Sequence, residues 1–254
     1  DMKGRKVLVP ALHDEDYSSR MCPENIEHTD EELLYIKNFK YRNKVGALLY
    51  AALRTRPDIA NATRTAAKFS HNPGYKHCLL VDRIFKYLSL TRSYKMRFGG
   101  IPDYLCQRYD WKRSAETTPS SHINVDCFVD ADLSTDIDTR YSTTGVMVLI
   151  NGAWVMSKSK TQTCVALSTM ESELIAACYA GQCLVPILHI LRDLGQTVTA
   201  ENVRIWTDSQ AAEAFIRNPR INQRNAHIDR KYFYVCEQYK RKLFDLRKVH
   251  TKEN

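Results

Sequence analysis

Three carboxylates, Asp130, Glu173 and Asp208, occur in that order and each falls in a different type of local element. Asp130 ends an alternating strand pattern (Ile123-Asn-Val-Asp-Cys-Phe-Val-Asp130), Glu173 lies in the first turns of an apolar-periodic helix, and Asp208 ends a second strand (Val203-Arg-Ile-Trp-Thr-Asp208). A strand, helix and strand in succession form a crossover of nearly fixed hand that sets distant strands side by side. If those strands are neighbours, about 4.8 Å apart, their terminal acids meet at one edge of the sheet. Unpaired carboxylates that close repel and raise one another's pKa. Divalent cations relieve the repulsion, and two of them make a phosphoryl-transfer site.

The elements that must position these acids are legible around them. Strands are predicted at 123–130, 143–150 and 153–159, with Asn151-Gly152 as the tight turn between the second and third. A helix over 169–194 follows, then the strand ending at Asp208, helices from Ser209 to Arg217 and from Asp229 to Lys242, and a last strand from Leu243 to His250. Three antiparallel strands followed by alternating helices and strands make an α/β sheet of mixed direction. Pro186 is expected to kink or break the long helix, because its ring opposes the carbonyl four residues back.

Upstream, three helices are predicted between Asn43 and Arg92: Val45 to Leu53, Pro57 to Ser70, and one from Pro73 carrying Cys78, Val81, Ile84, Phe85 and Leu88 at helical spacing. No catalytic constellation is evident there. Tyr94 to Phe98 reads as a short strand, the polar stretch 112–122 as a linker holding the domain boundary, and residues 1–42 as an extended acidic connector. Three regions result: the connector, a helical segment over 43–122, and an α/β domain over 123–254.

Each acid has a bland alternative. Asp130 could initiate a turn, a common use of Asp at strand ends, although a second strand-end Asp favours the site. Ser168-Thr-Met-Glu171 matches a capping box, which accounts for Glu171. Glu173 has no such local use and borders the buried stripe of Leu174, Ala177, Cys178, Gly181 and Val185. Asp208 precedes Ser209-Gln210, so it could be a helix N-cap, and that role is compatible with holding an ion. His227 and Asp229 form a weaker candidate pair, Asp229 as a first-turn acid and His227 as packing or an outer proton carrier.

The net charge of +8 hides an asymmetry: residues 1–32 carry nine acidic and four basic side chains, net −5, leaving +13 on the rest. That surplus favours a polyanionic partner bound with steep salt dependence. Arg217, Arg220, Arg224, Arg230, Lys231, Lys240, Arg241 and Lys242 are the candidates for phosphate contacts. A hydrophobic fraction of 44% and an aromatic fraction of 10% are those of a globular protein. Eight cysteines occur without a CxxC pair, several of them inside apolar patterns, which reads as a reduced protein without structural zinc. No uninterrupted apolar run of about 18 residues argues for a membrane span. Position 1 is Asp, and the start lacks a secretory signal, as expected of a piece of a longer chain.

From Val125 onward the sequence resembles the ribonuclease H domain of copia-type LTR retrotransposon reverse transcriptases. The resemblance is carried by Phe128-Val-Asp-Ala-Asp-Leu133, Arg140-Tyr-Ser-Thr-Thr-Gly145, Val165 to Leu174, Trp206-Thr-Asp-Ser-Gln-Ala211 and His227-Ile-Asp-Arg-Lys-Tyr232. Gly46-Ala-Leu-Leu-Tyr50 and Thr55-Arg-Pro-Asp-Ile-Ala60 resemble the segment that follows the polymerase palm. It implies a ribonuclease H-like mixed five-stranded sheet with flanking helices, preceded by a small helical thumb or connection segment. It implies further that Asp130, Glu173 and Asp208 hold two Mg²⁺ ions, with Mn²⁺ as a substitute, to hydrolyse the RNA of an RNA/DNA hybrid. A fourth acid is implied beyond His250-Thr-Lys-Glu-Asn254, past the last residue of this chain. Without a Tyr-x-Asp-Asp motif the chain is not expected to polymerise DNA itself; the polymerase domain of the same polyprotein is the implied partner, and a homodimer is compatible. The implied setting is cytoplasmic, within virus-like particles. Leu133 and Ala226 stand where the family usually has Trp and a basic residue, which keeps a non-catalytic hybrid-binding scaffold as the alternative. A DDE integrase is disfavoured, because the acid order here is Asp-Glu-Asp.

Overall fold

The computed structural model describes residues 7–12, 15–96, 98, 123–134, 136–219 and 232–250. Two compact units, residues 1–96 and 97–254, divide the chain.

The first unit is helical: α1 (Asp30–Asn38), α2 (Tyr41–Arg54), α3 (Ala60–Lys68) and α4 (Tyr75–Leu90), with a 3-10 turn at Pro57–Ile59 ahead of α3. Val45, Leu48, Ile59, Ala66, Val81 and Ile84 fill its core. The stretch read as an extended connector departs from that expectation. Thr29 and Glu32 close a reciprocal capping box that starts α1, and Val7, Cys22, Phe39 and Tyr41 are buried. Three of its acids, Asp30, Glu31 and Glu32, are first-turn residues of α1 and favour the helix dipole. Tyr94–Met96 and Phe98 carry no strand.

Gly74 has a steric reason to be glycine. A Cβ there would stand 1.6 Å from the Met21 carbonyl oxygen, and the Gly74 amide donates to Nδ1 of buried His77 at 2.9 Å. Gly74→Ala is therefore expected to destabilise this unit by about 3 kcal/mol, measured as the denaturant midpoint of helical circular dichroism.

The second unit is built on β1 (Val125–Asp132), β2 (Thr143–Ile150), β3 (Ala153–Thr161), β4 (Val203–Thr207) and β5 (Asp245–Lys248), joined by α5 (Thr169–Asp193), α6 (Gln210–Arg217) and α7 (Phe233–Lys240). The sheet order is β3-β2-β1-β4-β5. β1, β2 and β3 are antiparallel neighbours, while β4 runs parallel to β1 and β5 parallel to β4. That order and direction is the ribonuclease H-like α/β fold. Asn151 and Gly152 both have positive φ, as the tight β2–β3 turn requires.

The main core lies between the sheet and α5, where Val125, Cys127, Val129, Val148, Leu174 and Leu184 are buried together. Residues 174–191 hold no charged side chain, and α5 is long and apolar enough to cross a membrane; here that apolarity faces the sheet. α5 runs through Pro186 without a break. Pro186 and Gln182 lie on its exposed side, so solvent can serve the carbonyl that loses its donor.

Candidate metal centre

The sheet register brings two of the acids level. β1 and β4 pair from Val125↔Val203 to Phe128↔Trp206, a constant offset of 78 residues. Continued two residues past the last pair, that offset sets Asp130 opposite Asp208. β1 runs on to Asp132 alongside β2, whereas β4 stops at Thr207 and the chain turns into α6. Glu173 reaches the same point from the first turns of α5, its Oε1 accepting a 3.3 Å hydrogen bond from the Ala131 amide. One carboxylate oxygen from each of Asp130, Glu173 and Asp208 lies within 4.8 Å of the others.

Asp208 is spared the capping role it could have filled. Ser209 is the N-cap of α6, its Oγ accepting from the Ala212 amide at 3.2 Å, and Thr207 Oγ1 accepts from the Ser209 amide at 3.2 Å. The junction is thus pinned on both sides of Asp208 without using its carboxylate. Gly145 pairs with Asp130 across the antiparallel ladder, so cross-strand partners share a face there and the absent side chain leaves that side of the acid open.

The three acids form a gradient from solvent inward: Asp130 exposed, Asp208 half-buried, Glu173 only 7% exposed. Burial, and then the charges of Asp130 and Asp208, push the Glu173 carboxyl up to about 8. Burial and the facing Asp208 raise Asp130 as well. Glu173 Oε2 is enclosed and has no hydrogen-bond partner. An orphaned buried carboxylate oxygen among three converging acids fits a hard divalent cation, which takes oxygen ligands and removes the like-charge penalty.

Glu171 has the structural use expected, with one difference. Its amide donates to Ser168 Oγ at 3.2 Å, while its Oε2 accepts from the Leu167 amide at 2.7 Å, one residue before the cap. Asp136 and Asp138 shape a turn, the Asp138 amide donating to Asp136 Oδ1 at 3.2 Å. His227, Asp229, Arg220, Arg224, Arg230 and Lys231 lie outside the described residues.

The other candidates for phosphate contacts lie away from this centre. Lys240, Arg241 and Lys242 precede β5, and β5 starts beside Arg204, so they sit at the sheet end opposite the acids. Arg217 ends α6 at that same edge with each of its three nitrogens engaged: Nε to Glu213 at 3.0 Å, Nη1 to the Tyr239 hydroxyl at 2.7 Å and Nη2 to the Leu246 carbonyl at 2.6 Å. Arg217→Ala is expected to cost about 1 kcal/mol of stability and to leave the salt slope of hybrid binding unchanged. A slope reduced by about one would make it a phosphate ligand after all.

Sequence reasoning passed over Lys158 and Lys160. The ladder sets Lys160 level with Thr144, itself level with Ala131, placing exposed cations at the acid end of the sheet. Lys160 Nζ also lies 4.6 Å from the Tyr179 ring centroid. The alternating Lys-Ser-Lys pattern was the available signal, but only the strand directions give it a location.

No family model matches the chain. Over its whole length, in an alignment of 255 positions, it is 32% identical to the retrovirus-related Pol polyprotein from transposon TNT 1-94 of Nicotiana tabacum. The chain is thus homologous to a segment of a retrotransposon Pol polyprotein. This bears out the resemblance carried by the motifs around the three acids. The chain spans 17% of that Pol polyprotein's length. A second relative, secreted RxLR effector protein 161 of Plasmopara viticola, is 31% identical over 147 residues, 58% of this chain and 90% of the effector. Among solved structures, RNase H1 from the halophilic archaeon Halobacterium salinarum NRC-1 aligns with 51% of this chain and 87% of its own, at 14% identity and a TM-score of 0.34.

Proposed function

We propose that this Pol segment is the ribonuclease H region of a copia-type reverse transcriptase and hydrolyses the RNA strand of RNA/DNA hybrids. The observation that carries this reading is the convergence of Asp130, Glu173 and Asp208 at one end of a ribonuclease H-ordered sheet in a chain similar over its whole length to part of a retrotransposon Pol polyprotein.

Asp130, Glu173 and Asp208 would hold two Mg²⁺ ions, for which Mn²⁺ can substitute. When bound, the ions supply activation of the attacking water and stabilisation of the leaving 3′ oxygen. The protein's own contribution is placement. Glu173 is held from below by the Ala131 amide, and Asp208 is fixed by the Thr207 and Ser209 bonds beside it. Asp130 stands at the open side, where Gly145 leaves room for a phosphate to approach. Lys158 and Lys160 offer backbone contacts at the same end of the sheet. Such contacts carry no base information, so discrimination rests on duplex shape and the 2′-hydroxyl. The helical unit would guide the hybrid from a polymerase domain of the same polyprotein.

The test is cleavage of an end-labelled RNA/DNA hybrid by this chain in Mg²⁺, against duplex DNA, duplex RNA and an EDTA control. The expected result is cleavage of hybrid RNA alone, leaving 5′-phosphate and 3′-hydroxyl ends. Salt-sensitive hybrid binding without metal-dependent cleavage would reduce the segment to a binding scaffold.

A further inference from the structure

The sheet carries a second set of buried polar side chains, two to four residues before the acids on the same two strands. On the face away from α5, Asp126 is fully buried and Arg204 is 5% exposed. Asp126 Oδ1 lies 3.1 Å from Arg204 Nε and accepts a 2.7 Å hydrogen bond from Trp206 Nε1. Arg204 Nη2 donates to Asn124 Oδ1 at 3.3 Å. The Trp206 ring is nearly parallel to Phe128, with centroids 5.9 Å apart. Each of these contacts joins β4 to β1 or, for Asn124, to the residue just before β1.

We propose that Asp126, Arg204 and Trp206 are positioning residues that lock β4 against β1 in the one register that sets Asp208 opposite Asp130. The metal-binding consequence rests on the function proposed above; the register claim does not.

Apolar packing alone leaves the register open. A one-residue slip would turn the core side chains to the other face and is forbidden. A two-residue slip is different. Val125, Cys127 and Val129 on β1 and Val203 and Ile205 on β4 recur at every second position, so a shift of two keeps small apolar groups facing α5. That shift would carry Asp208 about 6.6 Å along the strand, farther than the 4.8 Å within which the three acids now gather. It would also part the Asp126 charge from Arg204 while both stay buried, a penalty no aliphatic pair imposes. Buried ion pairs add little net stability, and their best-attested use is to specify register.

The test compares the wild-type chain with a volume-matched apolar triple variant, Asp126→Leu with Arg204→Met and Trp206→Phe. Cross-strand NOEs between Cys127 and Ile205 read the register, and Mn²⁺ titration reads the acid site. The triple variant is expected to lose the native NOEs or gain a set offset by two residues. Its Mn²⁺ affinity is expected to fall about 10-fold or more, the range seen when groups behind metal ligands are removed. Asp126→Asn, which keeps an oxygen to accept from Trp206 and Arg204, is expected to keep the native NOEs at reduced stability. Native NOEs and unchanged Mn²⁺ affinity in the triple variant would overturn the proposal. If that variant does not fold, the double variant Asp126→Leu with Arg204→Met, which removes both buried charges and keeps Trp206, decides: its NOEs must show a second register, and a purely native set overturns the proposal. A wild-type chain that binds no Mn²⁺ would remove the metal reading, while the NOEs still decide the clamp.

Discussion

Asp208→Asn is expected to lower the rate of hybrid cleavage by about 10³-fold, equivalent to about 4 kcal/mol of transition-state stabilisation, with hybrid affinity nearly unchanged. The substitution is close to isosteric, so the effect isolates charge. Ser209 caps α6 in place of Asp208, and the strand end is held by Thr207; neither depends on the carboxylate. The variant should therefore keep the wild-type melting temperature in EDTA, or exceed it, because a repulsive charge has left the cluster. Single-turnover cleavage, hybrid binding in EDTA and a melting curve separate the effects. Cleavage near the wild-type rate in a folded Asp208→Asn chain would place the chemistry elsewhere. A matching loss of stability and activity would make Asp208 a structural residue.

The second large effect is a stability that falls with rising pH when no metal is present, and recovers with Mg²⁺. Glu173 is pushed up to about 8 by its burial and by Asp130 and Asp208, against about 4.3 for a free Glu. Between those values the folded state holds a proton that the unfolded state has released. Stability must then fall as pH rises through that window, by at most about 1.4 kcal/mol per pH unit from this group. Asp130 is raised too and acts in the same direction. A divalent cation replaces the proton as the neutralising charge, so the slope should flatten in Mg²⁺, with about 2.7 kcal/mol gained at 100 times the dissociation constant. Glu173→Gln should flatten the slope in EDTA and lose the response to Mg²⁺. Melting temperatures from pH 5 to 9 with EDTA or Mg²⁺ measure all of this. A melting temperature in EDTA that climbs across that window would show that the three acids do not share one site in solution.

Much of the α/β unit was legible because its signals are local and agree with one another. Alternation over 123–130, the Asn151-Gly152 turn and the apolar stripe after Glu173 each point to one element, and each element formed within a few residues of its predicted bounds. Glu173 stood out for a sound reason, since Ser168 and Leu167 occupy Glu171 and nothing local occupies its neighbour. Pro10, Pro23 and the acidic clusters of residues 1–42 read as an extended connector because composition over a long stretch averages out short local signals. The Thr29 to Glu32 capping box, a four-residue signal, is what decides the helix there.

The order of elements, the residue types at the strand ends and the family motifs were determined by the sequence itself. Only the tertiary structure decided three further matters. Whether Asp208 caps a helix or faces Asp130 depends on Ser209 taking the cap, and both residues are good caps in isolation. Which cations flank the acids depends on strand direction: Arg217, Lys240, Arg241 and Lys242 cluster in sequence but lie at the far end of β5, while Lys158 and Lys160 lie at the near end of β3. The convergence itself depends on a register offset of 78 residues between β1 and β4. Local propensity has no access to that number, because a strand reads the same at any register until a partner strand and buried polar groups distinguish one alignment from the next.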